Sequence, residues 1–197
     1  MRQTILVISL AAGLVLAGTA RAGGGNYAFD GGSSAQRAAV RAALNASAFD
    51  WGLVPARITI HIAPGMASYA RRGEIWIDPD LLSAGSFAWA FIQHEYAHQI
   101  DFFLFDGALR ARLLQVLGGR DWCWDVAGLA HRDYGCERFA STLAWAYWPS
   151  PDNALRPSAR TDESAAMPPA QFRALLKSLI GAPDFSPGRA LAIQLGR

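Results

Sequence analysis

The chain has 197 residues, of which 52% are hydrophobic and 17% charged, with a formal charge of +2. That is enough for one domain with a sizeable core. The charge excludes a strongly basic nucleic-acid face. Eighteen Lys+Arg stand against 16 Asp+Glu, and two of the arginines, Arg2 and Arg21, lie in the first 22 residues, so the remainder carries 16 of each (18 − 2 = 16) and is close to neutral.

The first 22 residues read as a secretory signal peptide. A positive start, Met1-Arg2-Gln3, leads into an uncharged apolar stretch from Ile5 to Leu16, and Ala20-Arg21-Ala22 is an A-x-A cleavage signal. The apolar core is short for a spanning helix. Cleavage after Ala22 predicts a secreted or periplasmic protein, with residues 34–197 as a single domain behind a flexible Gly/Ser-rich lead-in at 23–33. No later segment is long and apolar enough to cross a membrane, and a monomer with no nucleic-acid partner is expected.

A helix is predicted from Ser34 to about Phe49, with Ser34 as N-cap. Arg57-Ile58-Thr59-Ile60-His61-Ile62 alternates strictly and predicts a strand with one buried face; His61 falls on the other face and receives no role. Glu74-Ile75-Trp76-Ile77-Asp78 alternates again, and the moderate gap between the two suggests antiparallel pairing. A long helix follows from about Phe87 to Phe105, then a second from Ala108 to Leu117, closed by Gly118-Gly119. Residues 121–135 are irregular. Glu137 to Trp148 is helical in pattern and broken by Pro149. Ser158 to Ala166 reads as a polar loop, and Pro168-Pro169 opens a last helix through Ile180. The class is α+β: a small antiparallel or mixed sheet on a central helix, with further helices C-terminal.

The long helix contains His94-Glu95-Tyr96-Ala97-His98. Residues i and i+4 share a helical face, so both imidazoles can give a nitrogen to one zinc ion. Glu95 can reach the open side of such a site and take a proton from a water attacking a carbonyl. The flanks are almost wholly apolar, and burying two histidines and a glutamate without partners would be expensive. A catalytic zinc site usually takes a third protein ligand. Glu137, His131, Asp133 and Asp101 are candidates. Asp101, three residues past His98, better suits a hydrogen bond to a ligand imidazole, fixing its tautomer. Cys123 and Cys136 are the only cysteines, and in an exported chain an even pair predicts a disulfide, here pinning the loop before Glu137. Trp76, Trp122, Trp124, Trp145 and Trp148 are candidates for an apolar cleft, although aromatics at helical spacing are more often core.

His94-Glu95-Tyr96-Ala97-His98-Gln99-Ile100-Asp101, followed by Glu137-Arg138-Phe139-Ala140, resembles the gluzincin zinc metallopeptidases, most closely the anthrax lethal factor-like group. The resemblance spans roughly residues 57–148. It implies a zincin-like fold and Zn²⁺, with Glu137 as third ligand and Tyr134 or His131 polarising the carbonyl of a peptide or protein substrate. It also implies that strand 74–77 borders the cleft and pairs with extended substrate. The expected activity is zinc-dependent peptide-bond hydrolysis with Glu95 activating the water. The alternatives are a catalytically silent metal-binding or interaction module, and a metal-free domain with a buried polar network.

Overall fold

The structure, a computed structural model, describes residues 24–65 and 67–182. The expected signal peptide, residues 1–22, lies outside the described residues. Six α-helices and a four-stranded mixed sheet make up the described fold, which is α+β as expected.

The strands are β1 (Tyr27–Gly31), β2 (Ile58–Ile62), β3 (Tyr69–Arg71) and β4 (Glu74–Ile77), in the spatial order β1-β2-β4-β3. The lead-in expectation is corrected here: Tyr27–Gly31 is a strand, parallel to β2, with Tyr27 paired to Ile58. Its alternation of Tyr27 and Phe29 sets aromatic rings on the core side, where Tyr27 meets Tyr96 edge-on at 6.3 Å. Gly31 ends the strand with a positive φ of 74°, and a Cβ there would meet the Ile62 carbonyl oxygen at 2.6 Å. The antiparallel expectation is also corrected, since β2 and β4 pair in parallel. The missing piece is β3. It turns back through Arg72-Gly73 as a tight antiparallel hairpin with β4, and Gly73 supplies the positive φ of 86° that the turn needs.

Ile58, Ile60, Ile62, Ile75 and Ile77 form the buried face of β2 and β4. The opposite face is polar and aromatic. His61 lies there, hydrogen-bonded to Asp30 at 2.9 Å and Glu74 at 3.2 Å, and stacked on Trp76 at 4.7 Å. It takes no part in the site described below.

The helices are α1 (Ser34–Ala46), α2 (Pro79–Leu82), α3 (Trp89–Leu104), α4 (Gly107–Leu117), α5 (Gly135–Tyr147) and α6 (Pro169–Ile180). The α1 cap is Ser33, one residue earlier than expected, in a capping box with Gln36. The other boundaries fall within two residues of the sequence reading except the end of α1, which stops at Ala46 instead of about Phe49; a short 3₁₀ turn at Gly85–Ala88 precedes α3. α3 is the central element. It is buried continuously from Ile92 to Asp101 and packs on α1, α5 and the β3–β4 hairpin. Two glutamines on it satisfy backbone groups of its neighbours. Gln93 donates to the Ala43 carbonyl of α1 at 2.8 Å. Gln99 accepts from Gly73 N and donates to the Arg71 and Glu74 carbonyls, which anchors the hairpin to the helix.

Candidate metal centre

α3 presents His94, Glu95 and His98, and the first turn of α5 presents Glu137 opposite them. His94 Nε2 lies 3.0 Å from Glu137 Oε2, His98 Nε2 lies 3.3 Å from the same oxygen, and the two Nε2 atoms are 3.2 Å apart. Three ligand atoms from three buried side chains thus converge on one point, positioned to hold a metal ion. The charge and polarity of such a buried cluster must be compensated within the protein, and its groups shift one another's ionisation. Burial pushes the Glu137 carboxyl up, but hydrogen bonds from His94 and His98 outweigh it and hold the group well below the usual carboxylate range. Burial alone would lower His98, yet the bond and charge of Glu137, with Glu95 and Asp101, raise it. Glu95 is raised, first by burial and then by Glu137, against the pull of the histidines.

Glu137 is delivered by close packing at the start of α5. A Cβ on Gly135 would meet the Trp122 ring at 2.7 Å and Leu114 at 2.9 Å, so glycine serves close approach here rather than an unusual backbone angle. Cys136 is joined to Cys123, as expected, with a Cα–Cα distance of 5.5 Å. Both sulfurs also lie near Glu137, but the bond between them removes them as ligands.

The remaining expected residues divide. His131, in a one-turn 3₁₀ segment at His131–Asp133, faces the cluster, with Nε2 3.2 Å from Glu137 Oε2 and its ring 6.2 Å from that of His94. Tyr134 does not face it. Its ring is buried, packed at a tilt 4.1 Å from that of Trp124, and its hydroxyl donates to the Val126 carbonyl at 2.8 Å, so it supports the loop instead of polarising a substrate. Asp133 accepts at its carbonyl from Arg120 and stays outside the cluster. The Asp101 carboxylate accepts from Arg110 Nε at 2.8 Å and Trp122 Nε1 at 3.1 Å, and not from a motif histidine. Helix geometry carries it one turn along α3, towards α4 and the disulfide loop, which it ties down.

The orienting role falls to two residues that sequence reasoning missed. Ser141, one turn after Glu137 on α5, sits 3.1 Å from His94 Nδ1 and donates to Glu163 Oε2 at 2.8 Å. The other oxygen of Glu163 lies 2.6 Å from His131 Nδ1. One carboxylate therefore fixes His131 directly and His94 through a hydroxyl. The bond to Glu163 raises His131 against a smaller burial effect. Burial pushes Glu163 up, but its bonds to His131 and Ser141 outweigh this and lower it. Ser141 was detectable as the residue four past Glu137; Glu163 stands alone in a polar segment, without spacing to mark it.

Two clefts open on the cluster, of about 580 and 600 Å³, and both are lined by His94, Glu95 and His131. The second also contains Ser68, Tyr69 and Ala70. This corrects the expectation for strand 74–77. β4 is flanked on both sides, by β2 and β3, so the sheet edge bordering the cleft belongs to β3. Of the tryptophans, Trp122 and Trp124 line the second cleft, while Trp148 packs near Trp89 at 5.5 Å. No described helix is long and apolar enough to cross a membrane. No protein-family model, curated protein or solved structure matches the chain.

Proposed function

We propose that this protein is an exported zinc metallopeptidase of the gluzincin kind. The observation that carries the reading is the convergence of His94, His98 and Glu137 beside a glutamate that opens on both clefts. A tetrahedral zinc with ligands at about 2.0–2.1 Å has ligand–ligand edges of about 3.3 Å. The three separations of 3.0, 3.2 and 3.3 Å suit that ion. The zincin-like arrangement is supported by a central H-E-x-x-H helix under a mixed sheet whose antiparallel edge strand borders the cleft. Export is supported by the disulfide together with the apolar N-terminal sequence.

When bound, zinc supplies Lewis-acid polarisation of a substrate carbonyl and of a nearby water. The chain does the rest. An extended peptide lies along the free edge of β3, using its unpaired backbone groups. Glu95 takes the proton from the attacking water and passes it to the departing amine. His131, held at Nδ1 by Glu163, directs Nε2 to the site and stabilises the developing oxyanion. Ser141 and Glu163 hold His94 so that Nε2 is its ligand atom.

The test is hydrolysis of a mixed peptide library by the zinc-loaded protein. The wild type is expected to cleave, and Glu95→Gln to lose about 100- to 10,000-fold in rate with metal still bound. A zinc-loaded wild type that cleaves nothing turns the reading into that of a silent binding module. Equal rates for the two proteins refute the role of Glu95.

A further inference from the structure

The two clefts share His94, Glu95 and His131 and then diverge, with different chemistry on each side. We infer that the preferred peptide places a carboxylate in the first cleft and an aromatic or long aliphatic side chain in the second. This rests on the peptidase reading for the direction of the peptide through the site.

The first cleft carries Arg132, beside His131, and Arg156, on the segment after α5. Neither guanidinium makes an ion pair or a side-chain hydrogen bond among the described residues, whereas Arg110 and Arg138 do. Two of the three acids of that cleft are already engaged, and the third, Glu95, lies at the end it shares with the second cleft, beside the metal cluster. Asp162 Oδ2 accepts from Ser158 N at 2.7 Å, Ala159 N at 2.8 Å and Ser158 Oγ at 3.0 Å. Glu163 is held by His131 and Ser141. The two arginine backbones are fixed. Arg132 belongs to the 3₁₀ turn, and its carbonyl accepts from Arg138. Arg156 N donates to the carbonyl of Asn153, a buried residue whose amide donates to the Ala144 and Trp148 carbonyls. Two unengaged guanidiniums on anchored backbone suit a carboxylate, which they can bind through paired N–H donors. Its source is either an acidic side chain or the peptide's own C-terminus.

The second cleft is lined by Tyr69, Phe102, Trp122 and Trp124. Trp124 is 56% exposed, and its backbone is in the left-handed region, at φ 66°. A bulky residue held there is strained, and the surroundings must over-determine it. The disulfide at Cys123 and the close ring contact with Tyr134 do so. The result is a rigid indole presented to solvent beside the metal cluster.

The test is binding to zinc-loaded Glu95→Gln protein by fluorescence anisotropy. The probes are labelled hexapeptides containing Phe-Asp or Asp-Phe, their Asn and Ala counterparts, and each with a free or amidated C-terminus. The matching carboxylate peptide is expected to bind about 10-fold tighter than its neutral counterpart, the scale of two partly exposed ion pairs. Arg132→Gln/Arg156→Gln should erase that preference, and Trp124→Ala the preference for Phe over Ala. Loss on amidation identifies the C-terminus as the source; loss on Asp-to-Asn change identifies the side chain. Equal binding of charged and neutral peptides, absence of binding, or a preference surviving in the double variant overturns the inference. If the carboxylate preference holds while the wild type cleaves nothing, the cleft assignment stands and the peptidase reading fails.

Discussion

Glu163 joins a histidine of the candidate metal centre to a histidine outside that triad through one carboxylate, with Ser141 as intermediary. Orienting partners of this kind matter to metal affinity by about 10- to 100-fold. Glu163→Ala is therefore expected to weaken zinc binding on that scale in a chelator competition, and an unchanged affinity would remove Glu163 from the site. Glu137→Ala should weaken it further, because a ligand atom is lost. Asp101→Ala should leave zinc affinity nearly intact but lower the unfolding temperature, since it strands Arg110 Nε and Trp122 Nε1, at about 1–3 kcal/mol. At this scale, the residues that share a helical period were legible: His94, Glu95 and His98 by the i, i+4 rule, and Ser141 in retrospect. Tyr134 and Asp101 have the right residue types near the motif, but their hydroxyl and carboxylate face the disulfide loop, a direction that one-dimensional spacing does not contain. Glu163 comes from a turn whose path is set by packing on α5, so no local pattern announces it.

At the scale of elements, α3 is joined to the rest of the fold by polar anchors as well as by its apolar surface. Gln99→Ala leaves Gly73 N and the Arg71 and Glu74 carbonyls without their side-chain partner. A loss of about 1–3 kcal/mol is expected in denaturant unfolding, with amide exchange rising first in β3 and its turn. Uniform exchange changes would contradict the anchoring role. The disulfide closes a loop with a sequence separation of 13, which in the chain-entropy model contributes up to about 3 kcal/mol. Long periodic helices and the strictly alternating β2 and β4 were readable because their patterns are strong. β3 has three residues and β1 opens among glycines, too short and too mixed for periodicity to separate from loop. With β3 unseen, the parallel pairing of β2 with β4 could not be deduced.

For the molecule as a whole, the His131–Glu163 pair makes the stability of the metal-free protein depend on pH. His131 is raised above 6.5 in the folded state, so its contribution is fully present below 6.5 and is lost as pH rises through the raised value. Glu163 is lowered below 4.5, so its contribution is present above 4.5 and is lost as pH falls through the lowered value. The pair contributes most between about pH 4.5 and 6.5. Thermal unfolding of metal-free wild type and Glu163→Gln should differ most in that window, and a difference independent of pH would mean that the pair does not ionise as described. The global arrangement, in which a central helix meets α5 so that three side chains from two elements close on one point, is the basis of the account.

Metal analysis of the purified protein tests that basis most directly. One zinc per chain is expected in the wild type and in Glu95→Gln, with zinc lost on dialysis from His98→Ala and Glu137→Ala. A wild type that holds no zinc after zinc is added, or a His98→Ala protein that holds it as tightly as wild type, would contradict the metal centre.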